Sequence, residues 1–155
     1  MSSNQVTRQN LKLEVIVLPV ADVDRSKDFY KTLGWRLDAD FVPSEDFRVV
    51  QFTPPGSEAS IIFGKGTSSA APGSVQGLYL IVYDIEAARA ELIEHGIEVS
   101  EVFHPSNGVF PYGGTKGRVA GPDPNRRDYA SYASFNDPDG NGWILQEVKT
   151  RLPGR

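Results

Sequence analysis

The chain of 155 residues contains no cysteine and only two histidines. Without cysteine it has no disulfide, no thiolate metal site and no cysteine nucleophile, which suits a reducing compartment, so a cytoplasmic location is expected. No apolar run is long enough to cross a membrane. The net charge is −4 and basic residues form no block, so neither a membrane nor nucleic acid is an expected partner.

What the chain does contain is typical of a globular protein with many turns. Hydrophobic residues make up 39% of the sequence, charged residues make up 23%, and there are 15 glycines and 11 prolines. Residues 1–10 are polar and lack a hydrophobic signal core, which predicts a flexible tail. Residues 11–150 are long enough for one domain with a real core.

The first half of this domain predicts a strand, a helix and three more strands. Leu11 to Val20 is almost continuously apolar, as in a strand that is covered on both faces. Asp22 is a suitable N-cap for a helix with apolar residues at helical spacing, and Gly34 suits the position just after its end. Three further strands are predicted at 35–42, 47–53 and 59–63.

The same pattern begins again after a segment that is rich in Gly, Ser, Ala and Pro. Leu78 to Val82 predicts a strand, Asp84 a helix cap and Gly96 a helix end, and the cap and the end each lie 62 positions after their counterparts. This periodicity indicates an α+β fold made of two tandem β-α-β-β-β modules. We assign the modules to residues 11–64 and 77–148, with a linker at 65–76.

A predicted hairpin at Ser134 to Glu147 reveals an insertion in the second module. Its turn glycine, Gly140, lies 84 positions after Gly56, so the second module has about 22 extra residues. They fall within residues 104–128, a stretch rich in glycine and proline. A segment of this length predicts a binding loop, a contact with a partner subunit, or a partly disordered region.

Two segments resemble the vicinal oxygen chelate superfamily, which contains glyoxalase I, bleomycin-resistance proteins and extradiol dioxygenases. They are Val-Ala-Asp-Val-Asp-Arg-Ser-Lys-Asp-Phe-Tyr at 20–30, continuing to Leu33-Gly34, and Asp-Pro-Asp-Gly-Asn at 137–141. The resemblance implies two curved mixed sheets around a cavity that binds a small organic molecule, and it implies a homodimer. It says little about chemistry, because this scaffold carries many activities.

Catalytic members of that superfamily hold a divalent metal on four cavity residues. The corresponding positions here are Val15, Gly77, Ile144 and one residue within 60–62, and none carries a histidine or a carboxylate. Such a set does not suit a divalent ion, so no cofactor is expected. The sequence therefore predicts a small-molecule-binding member that lacks the usual metal ligands.

An enzyme remains the alternative interpretation. A lyase, isomerase or dioxygenase of this type would hold a metal on non-standard ligands chosen from Glu14, His104, Gln146 and Glu147. Without a metal, His104 and a tyrosine would act as acid and base. In a strand, one position reverses the face, so Gln146 shares the face of Ile144, whereas Glu147 points to the opposite side.

Five side chains are candidates for binding a ligand: His104, Tyr112, Arg118, Tyr129 and Gln146. His104 opens the insertion and is also the one candidate for acid–base catalysis. For His104 the competing interpretation is a hydrogen bond to the loop backbone, and for Arg118 it is a solvated loop charge. Arg126 and Arg127 are predicted to pair with Asp123 and Asp128.

Overall fold

The computed structural model describes residues 9–153, so the predicted tail at 1–10 lies almost wholly outside the described residues. Within this range the chain forms two helices and nine strands. In chain order they are β1 (Val15–Val17), α1 (Val23–Thr32), β2 (Arg36–Ser44), β3 (Phe47–Thr53), β4 (Ser60–Lys65), β5 (Leu78–Val82), α2 (Ile85–Glu94), β6 (Phe103–Pro105), β7 (Arg118–Ala120), β8 (Tyr132–Asn136) and β9 (Gly142–Glu147).

The strands form two mixed sheets, one for each half of the chain. The first sheet has the order β1-β4-β3-β2 and the second has the order β5-β9-β8-β6-β7. In each sheet the strand before the helix pairs in parallel with the last strand, and the other pairs are antiparallel. The predicted α+β fold with two β-α-β-β-β units is therefore confirmed, and β7 is an addition to the second unit.

Both helices begin and end where the sequence predicts. The Asp22 side chain accepts a hydrogen bond from the backbone N–H of Arg25 at 3.1 Å. Asp84 accepts two such bonds at the start of α2, at 3.0 and 3.1 Å. Each cap satisfies helical N–H groups that have no partner within the helix. Gly34 and Gly96 follow the two helix ends.

The structure corrects the length of the first strand. The prediction was a strand from Leu11 to Val20, whereas β1 is only Val15–Val17. The parallel register starts at the pair Val15 and Ser60, because the turn before β4 leaves no strand for the earlier residues to pair with. Leu11 and Leu13 consequently lie outside the sheet and are 97% and 65% exposed.

The core lies between the two sheets and contains both helices. Buried apolar side chains from both halves form one cluster there, including Tyr30, Phe52, Phe63, Phe135 and Trp143. The centroid of the Tyr30 ring, in α1, lies 5.6 Å from that of Phe63 in the first sheet and 6.3 Å from that of Trp143 in the second. Burial of this aromatic surface supplies the main force that holds the halves together.

Each sheet therefore has one face that packs against a helix and an opposite face that carries none. We call the latter the helix-free face.

Within residues 9–153, no helix combines the length and the hydropathy needed to cross a membrane.

Candidate functional site on the second sheet

The register of the second sheet sets which side chains share its helix-free face. Tyr79 of β5 lies opposite Ile144 of β9, and Ile81 lies opposite Gln146. Gln146 in turn lies opposite Tyr132 of β8. Residues that pair directly across strands point to the same face. The alternate residues of β5 and β9, such as Leu80 and Leu145, belong instead to the core.

Aromatic rings form the floor of this face. The rings of Phe103 and Tyr132 are stacked with their centroids 5.7 Å apart, and both side chains are buried. Tyr79 meets Tyr132 edge to face at 6.3 Å and is 43% exposed. Phe103 and Tyr132 are therefore closed to a ligand and support the face from below, whereas Tyr79 offers accessible ring surface to an apolar molecule.

Gln146 and Tyr132 supply fixed polar groups on the same face. The Gln146 amide donates to the Tyr132 hydroxyl at 3.2 Å, and that hydroxyl donates to the backbone carbonyl of Tyr129 at 2.6 Å. Burial raises the pKa of Tyr132 above its ordinary value. The phenol therefore stays protonated at neutral pH and acts as a hydrogen-bonding group rather than as a base.

Arg118 covers one end of the aromatic floor. Its guanidinium carbon lies 4.1 Å from the centroid of the Phe103 ring, a cation–π contact. One terminal nitrogen donates to the carbonyl of Gly114 at 3.3 Å, while the buried Nε has no hydrogen-bond partner. Burial lowers the pKa of Arg118 relative to an ordinary arginine. A positive charge is thus held at the edge of an apolar surface.

The other three predicted site residues lie elsewhere. His104 points to the opposite side of β6 from Phe103, where its Nδ1 bonds the Gly121 carbonyl at 2.8 Å, and it lines a separate pocket of about 280 Å³. Tyr112 lies in the insertion with Lys116 5.0 Å from its ring. The Tyr129 hydroxyl accepts from the backbone N–H of Leu152 at 3.1 Å, and its carbonyl accepts from the Tyr132 hydroxyl.

The positions that correspond to metal ligands do not suit a metal. On the helix-free faces, Val15 lies opposite Ser60 in the first sheet, and Tyr79 lies opposite Ile144 in the second. Gly77 precedes β5, so Tyr79 rather than Gly77 lies beside Ile144. Two aliphatic side chains, one hydroxyl and one phenol do not form a usual divalent metal site. Across residues 9–153, no three acidic or histidine side chains cluster in a metal-binding arrangement.

The non-standard ligand set does not converge either. Glu147 points to the helix side of its sheet, where it accepts bonds from the backbone of Ile85 at 2.9 Å and from Arg126 at 2.7 Å. Gln146 points to the opposite face. His104 lies on the far side of β6 from Tyr132, so the pairing of a histidine with a tyrosine on one face is also not formed.

A groove of about 630 Å³ adjoins the candidate face at the edge strand β5. It runs between α2 and the turn at 54–57, with Leu80, Leu92 and Trp35 among the apolar residues of its wall. Tyr79 and Ile81 line it as well, so the groove and the helix-free face are continuous around β5. Its volume lies in the range of small-molecule pockets, about 300–1,000 Å³.

Sequence reasoning missed Tyr79 and Phe103 as site residues. The alternation in Leu-Tyr-Leu-Ile-Val at 78–82 places Tyr79 and Ile81 on the face opposite Leu80 and was the available signal for Tyr79. No local signal identifies Phe103, because its place beside Tyr132 depends on the pairing of β6 with β8.

Comparisons with known proteins agree with this architecture. The family model for the Glyoxalase/Bleomycin resistance protein/Dioxygenase superfamily matches residues 12–145. Among solved structures, TnmS3, described as an antibiotic binding protein from Streptomyces sp. CB03234, is 29% identical with a TM-score of 0.67, over 92% of this chain and 99% of that chain. No curated protein matches the chain.

Two further solved structures are similar. A glyoxalase/bleomycin resistance protein from Streptomyces sp. CB03234 is 30% identical with a TM-score of 0.62, over 88% of this chain and 100% of that chain. A superfamily member from Sphaerobacter thermophilus is 25% identical with a TM-score of 0.64, over 89% of this chain and 98% of that chain.

Proposed function

The chain belongs to the glyoxalase/bleomycin resistance protein/dioxygenase superfamily, and from that premise we propose that it binds a small organic molecule on the helix-free face of its second sheet. The observation that carries the proposal is the 43% exposed ring of Tyr79, which meets the buried ring of Tyr132 edge to face and also lines the groove of about 630 Å³. The description of the similar protein TnmS3 as an antibiotic binding protein supports a binding role.

The bound molecule is held without a protein-bound metal. At the four positions where catalytic members carry metal ligands, this chain offers no carboxylate and no imidazole. The polar groups beneath Tyr79, Gln146 and Tyr132, are buried and bond each other, so they hold the face in place. We therefore favour retention of the molecule over a conversion that depends on a protein-bound metal.

Calorimetric titration with a panel of neutral, cationic and anionic planar aromatics tests the proposal. At least one class should bind the wild-type protein, and Tyr79→Ser should weaken that binding by about three- to tenfold, since an aromatic contact contributes about 0.5–1.5 kcal/mol. Tyr83→Ser is the matched control, because Tyr83 is also exposed but follows β5 and does not line the groove. Equal effects of the two variants, or no binding by any class, would refute the site.

Metal analysis of the purified protein tests the second part of the proposal. We expect binding of the aromatic probes to be unchanged by a chelator. A stoichiometric, tightly held divalent metal whose removal abolishes ligand binding would overturn the metal-free function.

A further inference from the structure

The two modules meet at two junctions, and each junction is formed by the helix of one module and the last hairpin turn of the other. At the first junction the turn at 137–141 packs against α1. The Tyr30 hydroxyl donates to Asp137 at 2.9 Å, and the Ser26 hydroxyl donates to Asp139 at 3.3 Å. Both side chains of α1 are fully buried. This junction is therefore closed by a ring and by hydrogen bonds.

At the second junction the equivalent helix positions carry apolar side chains without a hydroxyl. Both helices have ten residues, and α2 begins 62 positions after α1. Leu92 therefore takes the place of Tyr30, and Ala88 takes the place of Ser26. Leucine lacks the ring, and neither side chain is able to bond a turn. Both are only half-buried, whereas their counterparts in α1 are fully buried.

The turn at 54–57 does not close this second junction either. Its sequence is Pro-Pro-Gly-Ser, which contains no carboxylate. Ser57 donates instead within its own hairpin, to the carbonyls of Pro54 and Ala59 at 3.0 and 2.7 Å. The groove of about 630 Å³ lies between this turn and α2, and Leu92 forms part of its wall. The second junction thus leaves open the space and the apolar surface that the first junction fills.

The walls of the groove favour an uncharged ring. Trp35, from the first module, is a half-buried wall residue. The ionisable side chains that line the groove, Glu91, His95 and Arg151, are exposed and so lie at its rim. An apolar ring gains by leaving water for such walls, whereas a charged group would lose its hydration. Tyr79 belongs to both the groove and the helix-free face, so a molecule beside Tyr79 has access to the groove around β5.

Resting on the proposed function, we propose that the ligand inserts an uncharged ring into this groove, against Leu92 and Trp35. The ring occupies the space that corresponds to the Tyr30 ring at the first junction, where Trp35 packs against Tyr30 with 5.2 Å between the ring centroids. The rest of the ligand contacts Tyr79, and its polar substituents stay at the rim in water. Because the bound molecule contacts residues of both modules, it should also raise the melting temperature.

Calorimetric titration with 2-naphthol, a neutral two-ring probe, tests this inference at neutral pH. The wild-type protein should bind the probe. Leu92→Phe places a ring of the protein itself in the groove and should weaken binding by about tenfold, because the two rings compete for one space. Ala88→Leu fills the same wall one helical turn earlier and should weaken binding in the same direction.

Ile93→Phe is the matched control, since it adds a ring to the same helix at a side chain that is 45% exposed and does not line the groove. It should bind the probe as the wild type does. Circular dichroism checks the fold of each variant, and Ala88→Leu decides the outcome if Leu92→Phe does not fold.

Wild-type affinity in both groove variants would overturn the inference, and so would equal weakening by Ile93→Phe. In either case a continued effect of Tyr79→Ser would leave the proposed function intact. Failure of the wild-type protein to bind 2-naphthol would also overturn the inference, whereas the proposed function would then be judged on the charged aromatics of its own panel.

Discussion

Glu147 and its neighbour Gln146 lie in β9 and point to opposite faces of the sheet, and Glu147 has a structural role on the helix side. Its carboxylate accepts from Arg126 at 3.1 and 2.7 Å and from the first N–H of α2 at 2.9 Å. Burial by itself raises the pKa of Glu147, but the hydrogen bonds from Arg126 and Ile85 outweigh it and hold the pKa below the ordinary value. Gln146, one residue earlier, lies on the opposite, helix-free face of the sheet, beside Tyr132.

Glu147→Gln should lower the free energy of unfolding at neutral pH by about 2 kcal/mol, because charged hydrogen bonds become neutral ones. The depressed pKa means that the contribution of Glu147 is present above the unfolded value of about 4.3 and is lost as pH falls through the folded value. The deficit of the variant should therefore shrink in acid. Urea denaturation at a series of pH values measures it.

Glu98→Gln serves as the control, since Glu98 is exposed and its loss should change stability little at any pH. A deficit in Glu147→Gln that is independent of pH would contradict the assignment of a charged, hydrogen-bonded carboxylate.

Among the interactions of single residues, the partners in ion pairs were the hardest to predict from the sequence. The predicted ion pair between Arg127 and Asp123 is confirmed, with 2.6 Å between a guanidinium nitrogen and a carboxylate oxygen. The two residues are four positions apart in the sequence. Arg126 does not pair with a neighbouring aspartate and instead binds Glu147 and Glu86, 21 and 40 residues away. Only the fold brings such residues together, because nothing local specifies a partner on another element.

At the scale of elements, the turn at 137–141 joins the two halves of the molecule. Asp137 accepts from three backbone N–H groups of its own turn, as its turn role predicts, and also from the buried hydroxyl of Tyr30 at 2.9 Å. The linker packs beside the same turn. Gly73 has φ +79, and a Cβ there would lie 2.0 Å from the carbonyl of Asp139, so only glycine fits.

Asp139→Ala should destabilise the protein by loosening this junction. The Asp139 carboxylate accepts from the backbone of Ala21 at 3.0 Å, from Arg25 at 3.1 Å and from Ser26 at 3.3 Å, all at the start of α1. We expect a loss of about 2 kcal/mol in the free energy of unfolding, since three hydrogen bonds are lost and the buried Ser26 hydroxyl is left without this acceptor. Denaturation followed by tryptophan fluorescence reports it, because Trp35 and Trp143 meet between the halves.

The control is Asp46→Ala, which removes an exposed aspartate from a turn within the first sheet. If both variants lose the same stability, the turn at 137–141 does not join the halves through Asp139.

Most helices and strands were predictable from local sequence, and the exceptions are strands whose limits depend on their pairing partners. Helix caps, terminal glycines and apolar spacing located both helices, and β3 and β5 match their predicted bounds. β7 was not predicted as a strand, because Arg118–Ala120 is too short to show alternation and becomes a strand only by pairing with β6. The shortening of β1 likewise depends on where its partner β4 begins.

On the scale of the whole molecule, the two modules are equivalent in topology but differ at their junctions. On one side the acidic turn at 137–141 closes against α1 through Asp137 and Asp139. On the other side the corresponding turn at 54–57 lines an open groove beside α2. The duplicated fold was visible in the sequence, whereas this difference depends on side-chain contacts between modules.

The two helix-free faces also carry exposed apolar side chains, which leads to a prediction about assembly. Phe41 lies opposite Val49 on the face of the first sheet and is 64% exposed. A second copy of the chain would cover these faces and enclose the ligand surface, as the homodimer implied by the superfamily resemblance does. We therefore expect a dimer in size-exclusion chromatography with light scattering.

Phe41→Glu should shift this dimer toward monomer, because it would bury an unpaired carboxylate at the subunit contact. Ile93→Glu is the matched control, since Ile93 is also exposed but lies on the outer side of α2, away from both helix-free faces. The dimer should survive in that variant. A monomeric wild-type protein, or equal dissociation by both substitutions, would mean that the ligand surface stands open on a single chain.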